Sequence, residues 1–119
     1  MVSSNDIKIV SFNLHGYNQG KHTVKNFIHD DFITMFLLQE HWLSPANLVK
    51  FEEDFPTYDC YGCSAMNKAV ERGILRGRPY GGVMTLVSKK VSKSVKLLCS
   101  DERCVVLVVG NVLVFNVYF

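Results

Sequence analysis

The sequence has no long hydrophobic run, no marked excess of one charge and no basic-then-apolar leader. Its 119 residues carry a formal net charge of +2, so any basic surface must be local. No apolar run approaches the roughly 20 residues that cross a bilayer, and residues 1–6 do not resemble a signal peptide. We therefore expect a nuclear or cytoplasmic protein, not a secreted one, with no membrane partner and with its four cysteines reduced.

The composition is that of a globular protein, with 48% hydrophobic and 20% charged residues. A chain of this length suffices for one domain and buries roughly two-thirds of its unfolded surface. Residues 112–119 nevertheless form an apolar, strand-like run, whereas domains usually end in a polar, exposed segment. We therefore expect residues 1–119 to be part of a larger, truncated domain.

Two apolar runs in the first forty residues predict neighbouring parallel strands. The first ends at Asn13, and the second, residues 32–39, is apolar on both faces and is followed by Glu40. A glycine-containing loop at residues 15–20 and a short helix at residues 23–28 connect them. In such a strand–helix–strand unit the strands run parallel, so Asn13 and Glu40 should emerge at the same edge of the sheet.

The rest of the sequence predicts one helix and then strands, which makes the fold class α+β. Ser44 and Pro45 are typical of a helix start, and Gly110 with Asn111 is typical of a hairpin turn. Strands are predicted at residues 58–65, 83–87, 94–99, 104–109 and 112–118. Because the links between the last four are only two to six residues long, we expect those four strands to form one antiparallel meander.

Asn13 and Glu40 are candidates for a site that binds a hard cation. Their amide and carboxylate oxygens suit Mg²⁺, whose sites often use one or two carboxylates together with waters and phosphate oxygens. The alternative is that Asn13 caps a turn and that Glu40 is a solvated carboxylate. The spacing of the two residues does not decide between these interpretations.

Two further patterns concern arginine and cysteine. Arg72, Arg76 and Arg78 lie in a polar loop with several glycines, which suits contact with phosphate or nucleic acid, although a merely basic loop is the alternative. Cys60 and Cys63 have the spacing of half a zinc site, but strand alternation places them on opposite faces. We therefore interpret the cysteines as buried free thiols. The four histidines have no metal-ligand spacing.

Four segments, taken in order, resemble the endonuclease/exonuclease/phosphatase superfamily, and above all the endonuclease domains of non-LTR retrotransposons. They are IVSFNLHG at 9–16, LQEHWL at 38–43, GRPYGGV at 77–83 and FNVY at 115–118. Their order and spacing match the first half of that domain over essentially the whole chain. The resemblance implies a four-layer α/β/β/α sandwich with mixed β-sheets, of which this chain would be the N-terminal half.

The resemblance also implies an activity and roles for particular residues. It implies hydrolysis of phosphodiesters in DNA that depends on Mg²⁺, with Mn²⁺ as the alternative metal and no small-molecule cofactor. Glu40 would bind the metal, Asn13 would assist it, and Tyr118 would lie near the scissile phosphate. A bound metal would neutralise charge that develops on the phosphate and stabilise the leaving oxygen.

The chain also departs from the pattern of this family. The family completes its site with a Gly-Asp-x-Asn segment and a late Ser-Asp-His segment, and neither is present in these 119 residues. We therefore expect the chain to be inactive by itself and one apolar face of its second sheet to be uncovered. Two rival interpretations are a non-catalytic remnant or interaction protein, and a fragment of a lipid or nucleotide phosphatase of the same superfamily.

Overall fold

The structure is a computed structural model, and it describes residues 7–65, 81–91 and 94–118. Its strands and helices follow in chain order. They are β1 (Ile9–Asn13), α1 (Tyr17–Asp30), β2 (Met35–Gln39), a 3₁₀ turn (Pro45–Asn47), α2 (Val49–Asp54), β3 (Tyr58–Cys63), β4 (Val83–Ser88), β5 (Val95–Ser100), β6 (Cys104–Val109) and β7 (Val112–Val117).

The strands form two sheets, and the fold class is α+β as predicted. The first sheet has the strand order β1-β2-β4-β3 and is mixed, because β1 and β2 are parallel whereas β4 is antiparallel to both β2 and β3. The second sheet, β5-β6-β7, is wholly antiparallel. This arrangement is that of half an α/β sandwich, with one mixed and one antiparallel sheet.

Strand β4 does not belong to the predicted meander. It lies between β2 and β3 in the first sheet, and only β5, β6 and β7 form a meander. All six residues of β4 are buried, because Met84 and Leu86 face the helices while Val83 and Val87 face the second sheet. A strand covered on both faces is mostly apolar, so its side chains do not reveal which partners it pairs with.

Helix α1 begins at Tyr17, so the loop predicted at residues 15–20 is mostly helical and the predicted helix start at residue 23 is wrong. The glycine at position 20, which is typical of a loop, has another role here. A Cβ at this position would lie 2.6 Å from the carbonyl oxygen of Leu14, so glycine lets the helix pack closely against the chain that leaves β1. This glycine therefore reflects a close approach and not a turn.

Two cores lie on opposite faces of the first sheet, which gives three layers of helices, sheet and sheet. The core between the helices and the first sheet consists of Leu14, Tyr17, Val24, Ile33, Phe36, Leu38, Leu43, Phe51, Phe55, Tyr58, Met84 and Leu86. The core between the two sheets consists of Met35, Val83, Val87, Val105, Leu107, Val109 and Val114.

The outer face of the second sheet is apolar and uncovered in the described part of the chain, as predicted. On β7, Leu113 is 52% exposed and Phe115 is 55% exposed. Strand β7 pairs only with β6, so its other edge has no strand partner among the residues described. Among these residues there is also no helix long and apolar enough to span a membrane.

Candidate metal and phosphate site

The candidate site lies at the edge of the first sheet where β1 and β2 end side by side. Asn13 is paired with Gln39 in the parallel register, so Asn13 and Glu40 leave the sheet at the same edge, as predicted. Backbone hydrogen bonds join the two chains beyond the strands, from Leu14 N–H to Gln39 O at 2.8 Å and from Gly16 N–H to Glu40 O at 2.9 Å. The edge is therefore a defined structure and not two independent loops.

The Glu40 carboxylate is contacted from both sheets. The Tyr118 hydroxyl, which follows the end of β7, donates a hydrogen bond of 2.9 Å to Oε1 of Glu40. On the other side, Nδ1 of His15 lies 3.6 Å from Oε2 of Glu40, whose side chain is 20% exposed. The pKa of Tyr118 is raised, first because its hydroxyl donates this bond and then because the carboxylate charge disfavours the phenolate. The fold thus brings Glu40 and Tyr118 into contact with each other.

Asn13 has a role in the turn as well as a position at the edge. Its Oδ1 accepts a hydrogen bond of 2.9 Å from the backbone N–H of His15, so it caps the turn after β1. An amide oxygen has two lone pairs, so this bond leaves one for a second partner. The two interpretations of Asn13, a cap and a metal ligand, are therefore compatible with each other.

His41 holds the loop that carries Glu40. Its side chain is completely buried; Nε2 lies 3.0 Å from Cys63 O, and Nδ1 lies 2.9 Å from Leu43 N–H. A carbonyl can only accept and a backbone N–H can only donate, so these partners assign the neutral tautomer with its proton on Nε2. Burial lowers the pKa of His41 to about 4. This inward side chain anchors residues 40–42 to the core. Its two neighbours, Glu40 and Trp42, have positive φ angles of 55° and 59°.

Because His41 is neutral in the folded protein, acid should destabilise the fold. Its pKa falls from an ordinary 6.5 to about 4, so between these values the unfolded chain binds the extra proton. The free energy of unfolding should therefore decrease from pH 6.5 towards pH 4, by about 3 kcal/mol in all. Urea denaturation at pH 7, 5.5 and 4.5 measures this decrease. Over that range Asp31 and Asp54, whose pKa values are lowered, stay largely ionised and contribute little.

The pH dependence should be specific to His41. The variant His41→Gln cannot titrate, so its free energy of unfolding should be lower at pH 7 and nearly flat down to pH 4.5. The exposed His22 on α1 is the matched control, and His22→Gln should keep the pH dependence of the wild type. A wild type with the same stability at pH 7 and pH 4.5 would contradict the assignment of His41.

A buried amide network beneath the site joins the two sheets. Asn116 on β7 is 1% exposed, and its Oδ1 accepts a hydrogen bond of 2.9 Å from Nε2 of Gln39. Its Nδ2 faces three acceptors, Leu38 O at 3.3 Å, Met84 O at 3.2 Å and Thr85 Oγ1 at 3.1 Å. Because Asn116 lies two residues before Tyr118, this network positions the tyrosine relative to Glu40.

Glu40 and Tyr118 line a cleft of about 750 Å³ that sequence patterns did not predict. Arg103 and Trp42 also line it, and neither was predicted as a site residue. The Arg103 carbonyl accepts a hydrogen bond of 2.9 Å from the Tyr118 N–H, which ties the start of β6 to the end of β7. Asn13 is at the same sheet edge but does not line the cleft. A lone arginine in a hairpin has no local sequence signal, so only the fold reveals it.

Other predicted features lie outside the site or outside the described residues. Arg72, Arg76 and Arg78, the predicted phosphate contacts, fall in residues 66–80, which the structure does not describe. The cysteines are free thiols, but their predicted burial is wrong. Cys99 is exposed, and Cys60, Cys63 and Cys104 are half-buried. Within residues 7–65, 81–91 and 94–118, no three His, Cys, Asp or Glu side chains are grouped to hold a metal ion.

The fold of this chain is similar to that of proteins whose structures are known. No family model matches the sequence, and no curated protein is significantly similar to it. Several solved structures are similar in fold, and two of them come from Neisseria. A variant of the 3′ phosphatase NExo from Neisseria, bound to a product DNA hairpin, has a TM-score of 0.66 and 21% identity over 95% of this chain and 41% of its own. The 3′-5′ exonuclease NExo from Neisseria meningitidis has a TM-score of 0.64 and 20% identity over 94% of this chain and 41% of its own.

These comparisons define the fold and its extent. At 20–21% identity the likeness shows that this chain shares the fold of these two structures, and it does not single out the retrotransposon endonucleases. The chain spans about two-fifths of the length of these neighbours. The class of fold expected from the sequence is therefore confirmed.

Proposed function

We propose that this chain forms the metal-binding side of a Mg²⁺-dependent phosphodiesterase site that acts on DNA, with Mn²⁺ as the alternative metal. The observation that carries the proposal is the hydrogen bond from Tyr118 to Glu40. It joins two residues that are 78 positions apart, from different sheets, in the wall of one cleft. The sequence motifs that contain these two residues point to the same kind of site.

The donors at this edge fit a hard cation. Glu40 has a partly exposed carboxylate, and Asn13 offers an amide oxygen with one lone pair beyond its turn-capping bond. One carboxylate with one neutral oxygen is the sparse protein contribution that Mg²⁺ commonly receives, since waters and substrate phosphates supply the remaining ligands. The metal, when bound, would neutralise charge on the phosphate and stabilise the leaving oxygen.

The neighbouring side chains would position the carboxylate and the phosphate. The Tyr118 hydroxyl, by donating to Oε1, orients the Glu40 carboxylate and occupies one of its oxygens. Its raised pKa keeps the hydroxyl protonated at neutral pH, so its one proton stays available to hold the carboxylate. Arg103 adds a permanent positive charge to the same cleft, which favours a phosphodiester there. Arg72, Arg76 and Arg78 are proposed as further contacts to nucleic acid.

DNA is the proposed substrate for two reasons. The motifs of the sequence resemble retrotransposon endonucleases most closely, and a fold neighbour is a 3′ phosphatase bound to a product DNA hairpin. We propose a retroelement-type endonuclease as the parent activity on the first of these grounds. A lipid or nucleotide phosphatase remains the rival assignment within the superfamily, and comparing hydrolysis of these substrates by the complete domain distinguishes them.

A second candidate function is that of a non-catalytic interaction protein. The observation in its favour is the apolar outer face of the second sheet, where Leu113 and Phe115 are more than half exposed. Contiguous exposed apolar surface marks interaction sites in many proteins. Together with the two motifs that these 119 residues lack, this surface supports the proposal that the chain by itself is inactive.

The metal proposal predicts that Glu40→Gln weakens Mn²⁺ binding by roughly tenfold or more. The substitution removes the only proposed anionic ligand and keeps the shape of the side chain. Electron paramagnetic resonance of free Mn²⁺, titrated with the 119-residue chain, measures this affinity. The control is Glu53→Gln, at an exposed position of α2 outside the cleft, which should bind Mn²⁺ as the wild type does. Equal Mn²⁺ affinity in the wild type and Glu40→Gln would refute the site.

The same variants test whether the chain has activity of its own. In a plasmid-nicking assay with Mg²⁺, the wild type and Glu40→Ala should give the same background, because the family's second set of catalytic residues is not present in these residues. Nicking that depends on Glu40 would overturn the prediction of inactivity while supporting the assignment of Glu40.

A further inference from the structure

Trp42 is exposed at a point where its neighbours are buried. It is the only tryptophan of the chain and is 38% exposed, whereas His41 and Leu43 on either side are 0% and 7% exposed. Its indole lines the same cleft as Glu40 and Tyr118. An aromatic surface is therefore held beside the proposed phosphate site.

The backbone is constrained to hold this side chain in place. Trp42 has a φ of 59°, a conformation unusual for a residue with a side chain, and its N–H donates a hydrogen bond of 2.9 Å to Gly81 O. Gly16 packs directly against the indole, since a Cβ there would lie 2.7 Å from Cε3 and 2.9 Å from Cζ3 of Trp42. The six-membered ring is thus supported by glycine backbone, which fixes its orientation.

Simple packing does not account for Trp42. The exposed aromatic residues Phe27 and Phe115 lie in regular secondary structure, with no positive φ, outside the cleft. Trp42 differs from them in all three respects. Residues in sparsely populated backbone conformations concentrate at functional sites, where the surrounding structure maintains the strain. Glu40, the proposed metal ligand, shares this property with Trp42.

We propose that Trp42 is a platform on which an unpaired nucleobase stacks while the adjacent phosphodiester lies at Glu40. This inference rests on the proposed function and specifies its substrate as DNA with an unpaired base next to the reacting phosphate. Every base has a flat π face, so stacking on an aromatic side chain tolerates any sequence. In a regular duplex both faces of a base are covered by its neighbours, so the base must be single-stranded or extruded to reach the ring. Arg103, in the same cleft, supplies positive charge for the nucleic-acid backbone.

Because Trp42 is the only tryptophan, fluorescence excited at the red edge of the absorption band, where the tyrosines hardly absorb, reports on this one side chain. We would titrate the 119-residue chain, in EDTA, with a short single-stranded oligonucleotide, with the same length of abasic backbone, and with a duplex. The single strand should quench the fluorescence and bind roughly tenfold or more tightly than the abasic backbone, because only the former offers bases for stacking. Equal affinity for the abasic strand, or affinity for the duplex equal to that for the single strand, would overturn the proposal.

Variants tested with a labelled oligonucleotide separate stacking from general stability. Trp42→Leu should bind the single strand roughly tenfold more weakly, whereas Trp42→Phe, which retains a smaller π face, should retain most of the affinity. Phe27→Leu, which changes an aromatic side chain of similar exposure (40%) outside the cleft, should bind as the wild type does. A Trp42→Leu variant with wild-type affinity would contradict the proposal. If that variant does not fold, the titration of the wild type with the three oligonucleotides tests the stacking proposal by itself.

A failure of this stacking proposal can be distinguished from a failure of the proposed function. Since the oligonucleotide titration is performed in EDTA, a failure of Glu40 to bind metal leaves its result unchanged. Conversely, if no base-dependent binding is found, the Mn²⁺ measurement on Glu40→Gln keeps its meaning. Each result therefore bears on one proposal only.

Discussion

Replacing Gly82 by alanine should lower the free energy of unfolding by about 3 kcal/mol. Gly82 has a φ of +92°, and a Cβ there would lie 2.2 Å from Cε1 and 2.4 Å from Nε2 of His41. The imidazole cannot move aside without breaking its bonds to Cys63 and Leu43. Overpacking therefore adds to the strain of a side chain at positive φ. Thermal denaturation followed by circular dichroism should show a melting temperature lower by roughly 10 °C.

The matched control for this substitution is Gly110→Ala. Gly110, in the turn between β6 and β7, also has a positive φ, of +61°, but nothing lies within 4 Å of a Cβ there. This variant should lose only the backbone contribution, about 1 kcal/mol. The difference between the two variants isolates the contact with His41. If both variants melt at the same temperature, then His41 is not held rigidly against Gly82, and its role as the anchor of the Glu40 loop is wrong.

Replacing Asn116 by alanine should lower the free energy of unfolding by about 3 kcal/mol. The substitution removes every hydrogen bond of the buried amide, and it deprives Gln39 Nε2 of one acceptor and Thr85 Oγ1 of a donor. It also removes the side-chain hydrogen bonds that join β7 to the first sheet just before Tyr118. Urea denaturation at pH 7 measures the loss. Asn26→Ala is the control, because Asn26 is exposed in the middle of α1, where alanine is the better helix former.

The variant Asn116→Asp tests whether the loss is due to hydrogen bonding. Aspartate has nearly the same shape as asparagine, but it places a carboxylate oxygen where the amide nitrogen faced the carbonyl oxygens of Leu38 and Met84. Burying this charge disfavours ionisation and raises the pKa of the new carboxyl. Its destabilising effect should therefore grow as the pH rises from 5 to 8, whereas the effect of Asn116→Ala should not depend on pH in this way. A parallel pH dependence of the two variants would show that the amide acts by volume alone.

Local sequence patterns were sufficient for the strand ends that form the site. The run ending at Asn13 and the run ending before Glu40 were identified from apolar periodicity, and the short connection between them implied parallel strands. The hairpin at Gly110 and Asn111 and the bounds of β6 followed in the same way. These features depend on residues that are close in sequence, so a pattern within one window contains the necessary information.

Other features depend on contacts between distant parts of the chain. The position of β4 between β2 and β3 is determined by pairings with residues 35–39 and 58–63, and its mostly apolar sequence would have suited a meander equally well. Gly20 belongs to the segment predicted as a loop, but it lies in α1, where it lets the helix approach Leu14. In the sequence a glycine gives the same local signal for both roles.

The sequence by itself determined the class of fold, the edge at which Asn13 and Glu40 meet, and the residue types that suit a hard cation. Each follows from periodicity or from the chemistry of a side chain, which are local properties. The tertiary structure decided which groups surround Glu40. Tyr118 reaches it because the buried Asn116 joins the two sheets, His41 fixes its loop as a neutral, buried base, and the indole of Trp42 is held beside it against Gly16. These contacts arise from packing between separate layers, which no pattern within one segment specifies.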